Sequence, residues 1–176
     1  MKVNVGCGSH PLLYWDNIDS DGAAFADKYV SVPPMPYGDG EVDEIFAGHF
    51  LEHLTQEEAV EFLAECRRVL VPKGKLGIVV PDTEEVMRRH FDHTADGRVQ
   101  YPKGTWLDVH DLNDMCHLFL YSTAQDSHHQ WSYNHNTLAR LLVANGFSIA
   151  GEINRWMDPR ITVGAWYQFG LDAVKM

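Results

Sequence analysis

Two glycines and an acid near the start of the sequence have the types and spacing of a nucleoside-binding site. Gly6 and Gly8 follow the apolar segment 3–5, and Asp19 ends the next apolar segment, 15–19. Glycine lets the backbone approach a ligand where a side chain would clash. A carboxylate at the end of the following strand can accept hydrogen bonds from both hydroxyl groups of a ribose. The pattern therefore predicts that these three residues bind a nucleoside.

The surroundings of the glycines favour S-adenosylmethionine over a dinucleotide. A dinucleotide fingerprint has a third glycine, where this chain has Pro11, and its acid follows after about 20 residues, whereas Asp19 follows Gly8 by 11. A pyrophosphate also attracts positive charge, yet no Lys or Arg occurs between Lys2 and Lys28. S-adenosylmethionine has a sulfonium cation and no phosphate, so a rim without cations suits it. We therefore expect S-adenosylmethionine as the cofactor.

A second group of chemically active residues, His49, Glu52 and His53, has the H-x-x-E-H spacing of some zinc peptidases. Two histidines four residues apart on a helix share one face, as ligands of one zinc ion must. Here, however, His49 ends a predicted strand, and Thr55 caps a helix only two residues after His53. The segment is therefore interpreted as a strand-to-helix turn, and no metal site is predicted from it.

Alternating strands and helices must position these residues. Two amphipathic helices are predicted, one starting at the capping box of Thr55 and Glu58 and one over residues 136–145 that Gly146 caps. Strands are predicted over residues 2–5, 15–19, 29–32, 42–47, 75–80, 147–153 and 163–174. This alternation predicts an α/β fold with a parallel sheet covered on both faces.

Ligands of such sheets bind at the carboxyl ends of the strands. Five residues fall at or just past such ends: Gly6, Asp19, Val32, His49 and Asp82. We therefore expect five separate segments to converge on one edge of the sheet.

Length and composition indicate one globular domain spanning residues 1–176, with 45% hydrophobic and 22% charged residues. The net charge of −11 argues against non-specific electrostatic binding to nucleic acid. Cys7, Cys66 and Cys116 lie too far apart for a CxxC metal site, and their odd number does not suggest a disulfide framework. The sequence shows neither a signal peptide nor a long apolar run, so we expect no membrane association and a cytoplasmic location.

A series of motifs follows one another along nearly the whole chain. They are residues 4–8 (NVGCG), 15–19 (WDNID), 35–37 (MPY), 43–45 (DEI), 49–54 (HFLEHL), 65–76 (ECRRVLVPKGKL), 81–82 (PD), 129–133 (HQWSY) and 141–147 (LLVANGF). In their order and spacing the chain resembles the class I S-adenosylmethionine-dependent methyltransferases of the methyltransferase-11 type. The resemblance implies a Rossmann-like, doubly wound, mostly parallel seven-stranded sheet with an antiparallel last strand. It also implies methyl transfer to an acceptor, which we expect to be a small molecule.

The same resemblance assigns roles to residues. Gly6 and Gly8 would back the methionine portion of the cofactor, Asp19 would hold the ribose, and the turn 48–50 would lie near the transferable methyl group. The expected cofactor-binding residues are Asn4, Gly6, Cys7, Gly8, Asp19, Val32, Gly48, His49 and Phe50. For a general base, His49 is the first candidate, and the others are Asp82, His110 and His129.

Residues 82–133 form a long insertion between the fifth strand and the next helix, and they hold six of the ten histidines. Because the sequence begins directly with its first strand, we expect this insertion to close over the cofactor edge. Its aromatic residues would then supply the acceptor pocket: Trp106, Phe119, Tyr121 and Trp131.

Two other functions fit parts of the pattern. Many relatives have an acid where Asn4 stands and a glycine where His10 stands, so a non-catalytic nucleoside-binding or assembly protein that retains the fold is the alternative. An NAD- or nucleotide-dependent enzyme is disfavoured by the missing glycine and the absent cations.

Overall fold

The computed structural model describes residues 1–92, 129–153 and 168–176. Seven strands form one sheet in these parts of the chain: β1 (Lys2–Val5), β2 (Asp16–Asp19), β3 (Lys28–Tyr29), β4 (Val42–Gly48), β5 (Leu70–Pro81), β6 (Phe147–Glu152) and β7 (Gln168–Lys175). Their order across the sheet is β3-β2-β1-β4-β5-β7-β6. β7 runs antiparallel to both of its neighbours, and the pairs among β1 to β5 are parallel. The predicted mostly parallel sheet with an antiparallel last strand is confirmed.

Strand bounds agree with the prediction for β1 and differ from it for β3 and β5. β1 has the predicted bounds, whereas β3 is shorter than predicted. β5 begins directly after the preceding helix and includes Pro72, Lys73 and Gly74, so it starts before residue 75, where the strand was predicted to start. The register between β4 and β5 shifts at that point, because the pairing passes from Val42 with Leu70 to Glu44 with Lys75. Residues 163–167 of the predicted last strand lie outside the described residues.

Helix α1 (Gln56–Val69) begins where its capping box predicted. Thr55 Oγ1 accepts a hydrogen bond from the Glu58 amide over 3.2 Å, and the Glu58 carboxylate accepts one from the Thr55 amide over 2.8 Å. A short 3₁₀ helix, Leu51–His53, separates β4 from α1. The predicted strand-to-helix turn is therefore present.

Within the described residues, two further helices follow β5. Helix α2 (Thr83–Asp92) lies at the start of the predicted insertion, and the amide of Glu85 donates to the Asp82 carboxylate over 3.1 Å. An acid three residues before Glu85 is the sequence signal that would have predicted this helix. Helix α3 (His135–Ala144) matches the predicted second helix, and Gly146 follows it with φ +84°.

The helices α1 and α3 bury their apolar residues in one cluster, which also contains Val5, Ile45 and Ile78 from alternate positions of the strands. The intervening strand positions face the other side of the sheet. There, among the described residues, Phe46 and Val79 pack with side chains that belong to loops or strand ends: Leu12, Trp15 and Ile153. The described cover of this second face is therefore made by short segments rather than by a helix.

The carboxyl ends of the central parallel strands meet at one edge, as predicted. Val5 of β1 is in register with Ile18 of β2 and with Ala47 of β4, and Gly48 is in register with Val79 of β5. None of the helices in the described ranges is both long enough and apolar enough to cross a membrane.

Candidate functional site

The glycine loop after β1 turns sharply at two positions. Gly6 and Gly8 have φ values of +66° and +52°, a left-handed backbone that glycine adopts without strain. The amides of Gly6 and Cys7 both donate to the carbonyl of Ile18, over 2.9 and 3.3 Å. A side chain at Gly6 would place its Cβ atom 2.6 Å from Cδ2 of Phe50, so no other residue fits there without displacing that ring. The loop is thus fixed against β2 and against the turn after β4.

Asp19 connects this loop to the end of β2. Its Oδ2 atom accepts a hydrogen bond from the amide of Gly8 over 2.8 Å, and its Oδ1 atom accepts one from Asp21 over 2.9 Å. A carboxylate has about four lone-pair positions, so each oxygen can accept a further hydrogen bond. Asp19 is thereby held in one orientation and still has the capacity to bind hydroxyl groups.

Asn4 lies fully buried beneath the same loop. Its Nδ2 atom donates to Oδ1 of Asn17 over 3.0 Å and to the carbonyl of His10 over 3.4 Å. Asn17 in turn accepts from the amide of Leu12 over 2.7 Å and donates to the carboxylate of Asp27 over 2.9 Å. This network supports the loop from below. The Oδ1 atom of Asn4 has no hydrogen-bond partner, so it is the one atom of that side chain left to meet a ligand.

The other expected cofactor residues lie around the same edge. Cys7 is fully buried, and its thiol donates to the carbonyl of Gly8 over 3.7 Å. Phe50 packs tilted against Phe62 with ring centroids 5.1 Å apart. Val32 is half-buried and packs on the main core after β3, where the amide of Val30 donates to the carbonyl of Asp19 over 2.7 Å.

His49 forms the turn after β4 with a left-handed φ of +53°, which is uncommon for a residue other than glycine. Its amide donates to the carbonyl of Val79 over 2.9 Å. Its Nδ1 atom lies 3.0 Å from Oε1 of Glu52, and its Nε2 atom lies 2.7 Å from Oε1 of Gln168. Because a carboxylate can only accept, Nδ1 carries a proton in this pair. Both ring nitrogens are therefore engaged, and the ring is fixed in position.

Glu52 is a buried carboxylate with an exposed fraction of only 1%. Burial raises its pKa, but the hydrogen bond from His49 and the positive charges of His49 and His53 outweigh burial and lower the pKa below its ordinary value. Its backbone carbonyl accepts from the amides of Gln130 and Trp131, over 2.8 and 3.2 Å. Its Oε2 atom has no hydrogen-bond partner. Glu52 thus ties segment 129–133 to the 3₁₀ helix and retains one unused acceptor.

The remaining base candidates differ in their surroundings. Asp82 forms an isolated parallel bridge with Tyr133, and burial raises its pKa although the hydrogen bond from the Glu85 amide opposes this. His129 lies edge-on to His53 with ring centroids 4.9 Å apart. His110 lies outside the described residues, as do the aromatic residues of the insertion at 106, 119 and 121.

The structure therefore brings the expected residues into two neighbouring groups. One consists of the glycine loop with Asp19 and Phe50, and the other of His49 with segment 129–133. Three residues of the second group were not predicted as site residues: Glu52, Tyr133 and Gln168. Glu52 has a sequence signal, its place in the H-x-x-E-H motif, but only the fold shows that it is buried. Gln168 has no such signal, because it reaches the site from the far end of the chain.

Sheet order and the comparisons with known proteins agree on the fold. The order of the seven strands, with β7 antiparallel, is that of the class I methyltransferases, and residues 23–78 match a family model described as a methyltransferase domain. The match spans β3 to β5, including the turn at His49, and begins after Asp19. The predicted resemblance and fold class are confirmed. No protein of curated function matches the sequence.

Solved structures agree with this class at low sequence identity. A possible histamine N-methyltransferase from Thermotoga maritima, described as S-adenosylmethionine-dependent, superposes with a TM-score of 0.62 at 12% identity, over 99% of this chain and 82% of the other. A methyltransferase from Aquifex aeolicus gives 0.57 at 15% identity, over 99% and 81%. A Burkholderia thailandensis N1-methyltransferase with bound 1,6-didemethyltoxoflavin and S-adenosylhomocysteine gives 0.58 at 14%, over 99% and 70%. At this identity the likeness concerns the fold. The cofactor that the class indicates, S-adenosylmethionine, is the one expected from the sequence.

Proposed function

We propose that this protein binds S-adenosylmethionine at the edge formed by the glycine loop and Asp19 and transfers its methyl group to a small-molecule acceptor. The observation that carries the proposal is the hydrogen bond from Gly8 to Asp19, which places an oriented carboxylate beside a loop free of side chains at both glycines. This is the arrangement that a ribose with its attached chain requires. The family match and the fold support the same conclusion.

In this proposal the loop and the turn after β4 position the two ends of the cofactor. Asp19 accepts hydrogen bonds from the ribose hydroxyl groups, and the glycines let the methionine portion lie against the backbone. Val32 lies on the adenine side, and Phe50 packs beneath the loop. The buried Oδ1 atom of Asn4 is an acceptor for the ammonium group, although it carries no charge.

The chemical step needs little help from the protein beyond positioning. A lone pair of the acceptor attacks the methyl carbon in line, the carbon–sulfur bond breaks, and its electrons stay on sulfur as a neutral thioether. The acceptor's proton passes to a base or to water. Because the sulfonium is already a strong electrophile, correct placement of the acceptor supplies most of the rate enhancement.

A general base is needed only when the acceptor must lose its proton early. Both ring nitrogens of His49 face oxygen acceptors, Oε1 of Glu52 at Nδ1 and Oε1 of Gln168 at Nε2, so both donate. His49 would have to release Gln168 and lose the proton at Nε2 before it could act as a base. We therefore propose that the role of His49 is to hold the turn after β4 in place near the methyl group. Asp82, His110 and His129 remain the candidates for proton acceptance.

A specific observation keeps the alternative function in view. Asn4 is neutral and most of its hydrogen-bonding capacity serves Asn17 and His10. A protein that retains the fold and binds a nucleoside without catalysis would tolerate Asn4 in place of the acid that many relatives have there. A solved complex of similar fold joins a Haloferax volcanii methyltransferase activator, Trm112, to a methyltransferase, at a TM-score of 0.57 and 13% identity. A protein of this fold can therefore form a complex with a second protein, as the assembly alternative requires.

Calorimetry separates these functions. We expect the purified protein to bind S-adenosylmethionine and S-adenosylhomocysteine and to ignore NAD and ATP. Binding of NAD or ATP with no response to the sulfur nucleosides would overturn the proposal. Tight cofactor binding without turnover of any acceptor amine, hydroxyl or ring nitrogen in a broad screen would favour the non-catalytic alternative. The cytoplasmic location and the single-domain boundaries stay predictions.

A further inference from the structure

Three buried polar atoms without a hydrogen-bond partner lie around one small pocket. They are Oε2 of Glu52, Oγ1 of Thr83 and the hydroxyl of Tyr133, and the pocket is also lined by His129 and Trp131. A buried polar atom that lacks a partner costs free energy, so folded proteins seldom retain one without a reason. Three around one pocket indicate that a ligand belongs there. The pocket is too small for an organic acceptor.

Two histidines, His129 of the pocket lining and the nearby His53, stand beside Glu52. One ligand atom each from Glu52, His53 and His129 lies within 4.8 Å of the other two. Glu52 is buried, and both histidines are half-buried, so the group is not a solvated surface cluster. Two imidazole nitrogens and one carboxylate oxygen form the donor set of catalytic zinc sites, which leave a fourth position for water or substrate.

We propose that Glu52, His53 and His129 form a binding site for a divalent transition-metal ion, and that Zn²⁺ is the ion their donor atoms fit. The proposal goes beyond methyl transfer and does not depend on it. It also differs from the reading of H-x-x-E-H as two histidine ligands on one helix, because His49 is not a ligand here. The third ligand, His129, comes from a segment 76 residues further along the chain than His53.

The surroundings of the three residues have the features of a supported metal site. His49 donates from Nδ1 to Oε1 of Glu52 over 3.0 Å, which orients the carboxylate and leaves Oε2 directed elsewhere. Hydrogen bonds of this kind hold the ligands of metal sites and raise their affinity. The carbonyl of Glu52 fixes the start of segment 129–133 through Gln130 and Trp131. The hydroxyl groups of Thr83 and Tyr133 are then available to a metal-bound water.

Zinc bonds of about 2.0–2.2 Å place tetrahedral ligand atoms roughly 3.4 Å apart, so the three side chains must move closer than their present spacing. The rings of His53 and His129 are already edge to face, with centroids 4.9 Å apart. Binding should therefore order the rings and raise the melting temperature of the protein, as any ligand of the native state does.

The test uses chelator-treated protein titrated with Zn²⁺ alone, in competition with a chromophoric chelator. We expect one tightly bound equivalent. Glu52→Gln and His129→Ala should each weaken binding by more than the roughly 10- to 100-fold that loss of an outer hydrogen-bonding partner costs. The matched control is His135→Ala, which removes a surface histidine 3.2 Å from Glu152 and should bind Zn²⁺ like the parent protein.

Co²⁺ binding to the parent protein tests the site even if a variant fails to fold. The parent protein with one Co²⁺ should show the intense visible absorption of a tetrahedral site with nitrogen and oxygen ligands. Absence of a stoichiometric site, or a site lost in His135→Ala and retained in both ligand variants, would overturn the proposal. Calorimetry with S-adenosylhomocysteine on the same samples reports the cofactor site separately, so failure of one proposal is distinguishable from failure of the other.

Discussion

The amide of Gly8 donates to Oδ2 of Asp19 over 2.8 Å, and this bond joins the glycine loop to the end of the neighbouring strand. The two residues are only 11 positions apart, and no helix lies between them. The loop, the carboxylate and β2 thus form one small unit. Its integrity should determine cofactor binding.

Replacing the Asp19 carboxylate should weaken cofactor binding without unfolding the protein. We expect Asp19→Ala to cost roughly 2–3 kcal/mol in binding S-adenosylhomocysteine, the scale of charge-assisted hydrogen bonds, which is roughly 30- to 150-fold in Kd. The control is Asp21→Ala, which removes an exposed carboxylate two residues later and should leave Kd unchanged. Calorimetry measures both. Equal affinities for the parent and Asp19→Ala would show that the nucleoside binds elsewhere.

Gly6 offers a test of the contact between the loop and Phe50. Gly6→Ala places a Cβ atom 2.6 Å from the Phe50 ring at a φ of +66°. Gly40→Ala is a close control, because Gly40 has a φ of +65° and open space around it. Both variants should suffer the strain of a left-handed alanine, so the difference between them reports the steric contact. We expect Gly6→Ala to be less stable than Gly40→Ala by roughly 1–3 kcal/mol. Gly6→Ala should therefore unfold at a lower urea concentration.

Cofactor affinity in the same pair of variants adds a second measurement. Gly6→Ala should also bind S-adenosylhomocysteine more weakly, whereas Gly40→Ala should bind it like the parent. If the two variants proved equally stable and bound equally well, the packing of Phe50 under the loop would have no role.

An acid at position 4 should be poorly tolerated in the free protein. Asn4 is fully buried, and its Nδ2 atom faces two acceptors, Oδ1 of Asn17 and the carbonyl of His10. Asn4→Asp replaces this donor by an oxygen, so we expect a loss of at least about 2 kcal/mol of stability. The exposed Asn136→Asp should change stability little.

S-adenosylmethionine should raise the melting temperature of Asn4→Asp more than that of the parent, because its ammonium group would pair with the new carboxylate. Thermal unfolding with and without cofactor measures this. An equal rise in both proteins would mean that position 4 does not face the ammonium group.

Glu65 gives a pH-dependent prediction for the segment that leads to β4. The side-chain hydrogen bonds from Arg68 lower the pKa of Glu65 against the opposing effect of burial, and the amide of Met35 donates to the same carboxylate over 2.7 Å. A lowered folded-state pKa adds stability above the ordinary pKa, near 4.5, and that stability is lost as the pH falls through the folded value.

Glu65→Gln should therefore lower stability by roughly 1 kcal/mol at neutral pH, with a difference from the parent that closes below about pH 4.5. The control is Glu61→Gln, an exposed carboxylate on the preceding turn of α1. Urea unfolding of the parent and the variant, at intervals of about one pH unit between roughly pH 3 and 7, follows the difference in their free energies of unfolding. A difference that did not change with pH would refute the assigned ion pair.

Local patterns sufficed for the central strands and for α1 and α3. β1 and the capping box of Thr55 follow from short-range rules, because hydrophobic period and hydrogen-bonding residues at a helix start act over a few positions. The positions of Gly6, Gly8 and Asp19 at one edge followed from the same rules. β3 was harder, because only Lys28 and Tyr29 pair with β2, and of these only Tyr29 lies in the predicted strand 29–32.

Long-range contacts account for what the sequence did not predict. The burial of Glu52 results from the docking of segment 129–133 on the 3₁₀ helix, and the contact between His49 and Gln168 spans 119 positions. No local pattern encodes either relationship. The motif H-x-x-E-H led to no predicted metal site, and only the fold shows that His129 stands beside Glu52 and His53.

Leu12 and Trp15 cover Phe46 and Val79 from a segment that continues directly from the glycine loop. The segment that would hold the cofactor therefore also shields part of the hydrophobic core from solvent. Lifting this segment would admit water to Phe46, and a bound nucleoside would hold it down. Occupancy of the site and hydration of the second sheet face would then form a single equilibrium, with cofactor concentration setting how often that part of the core is exposed.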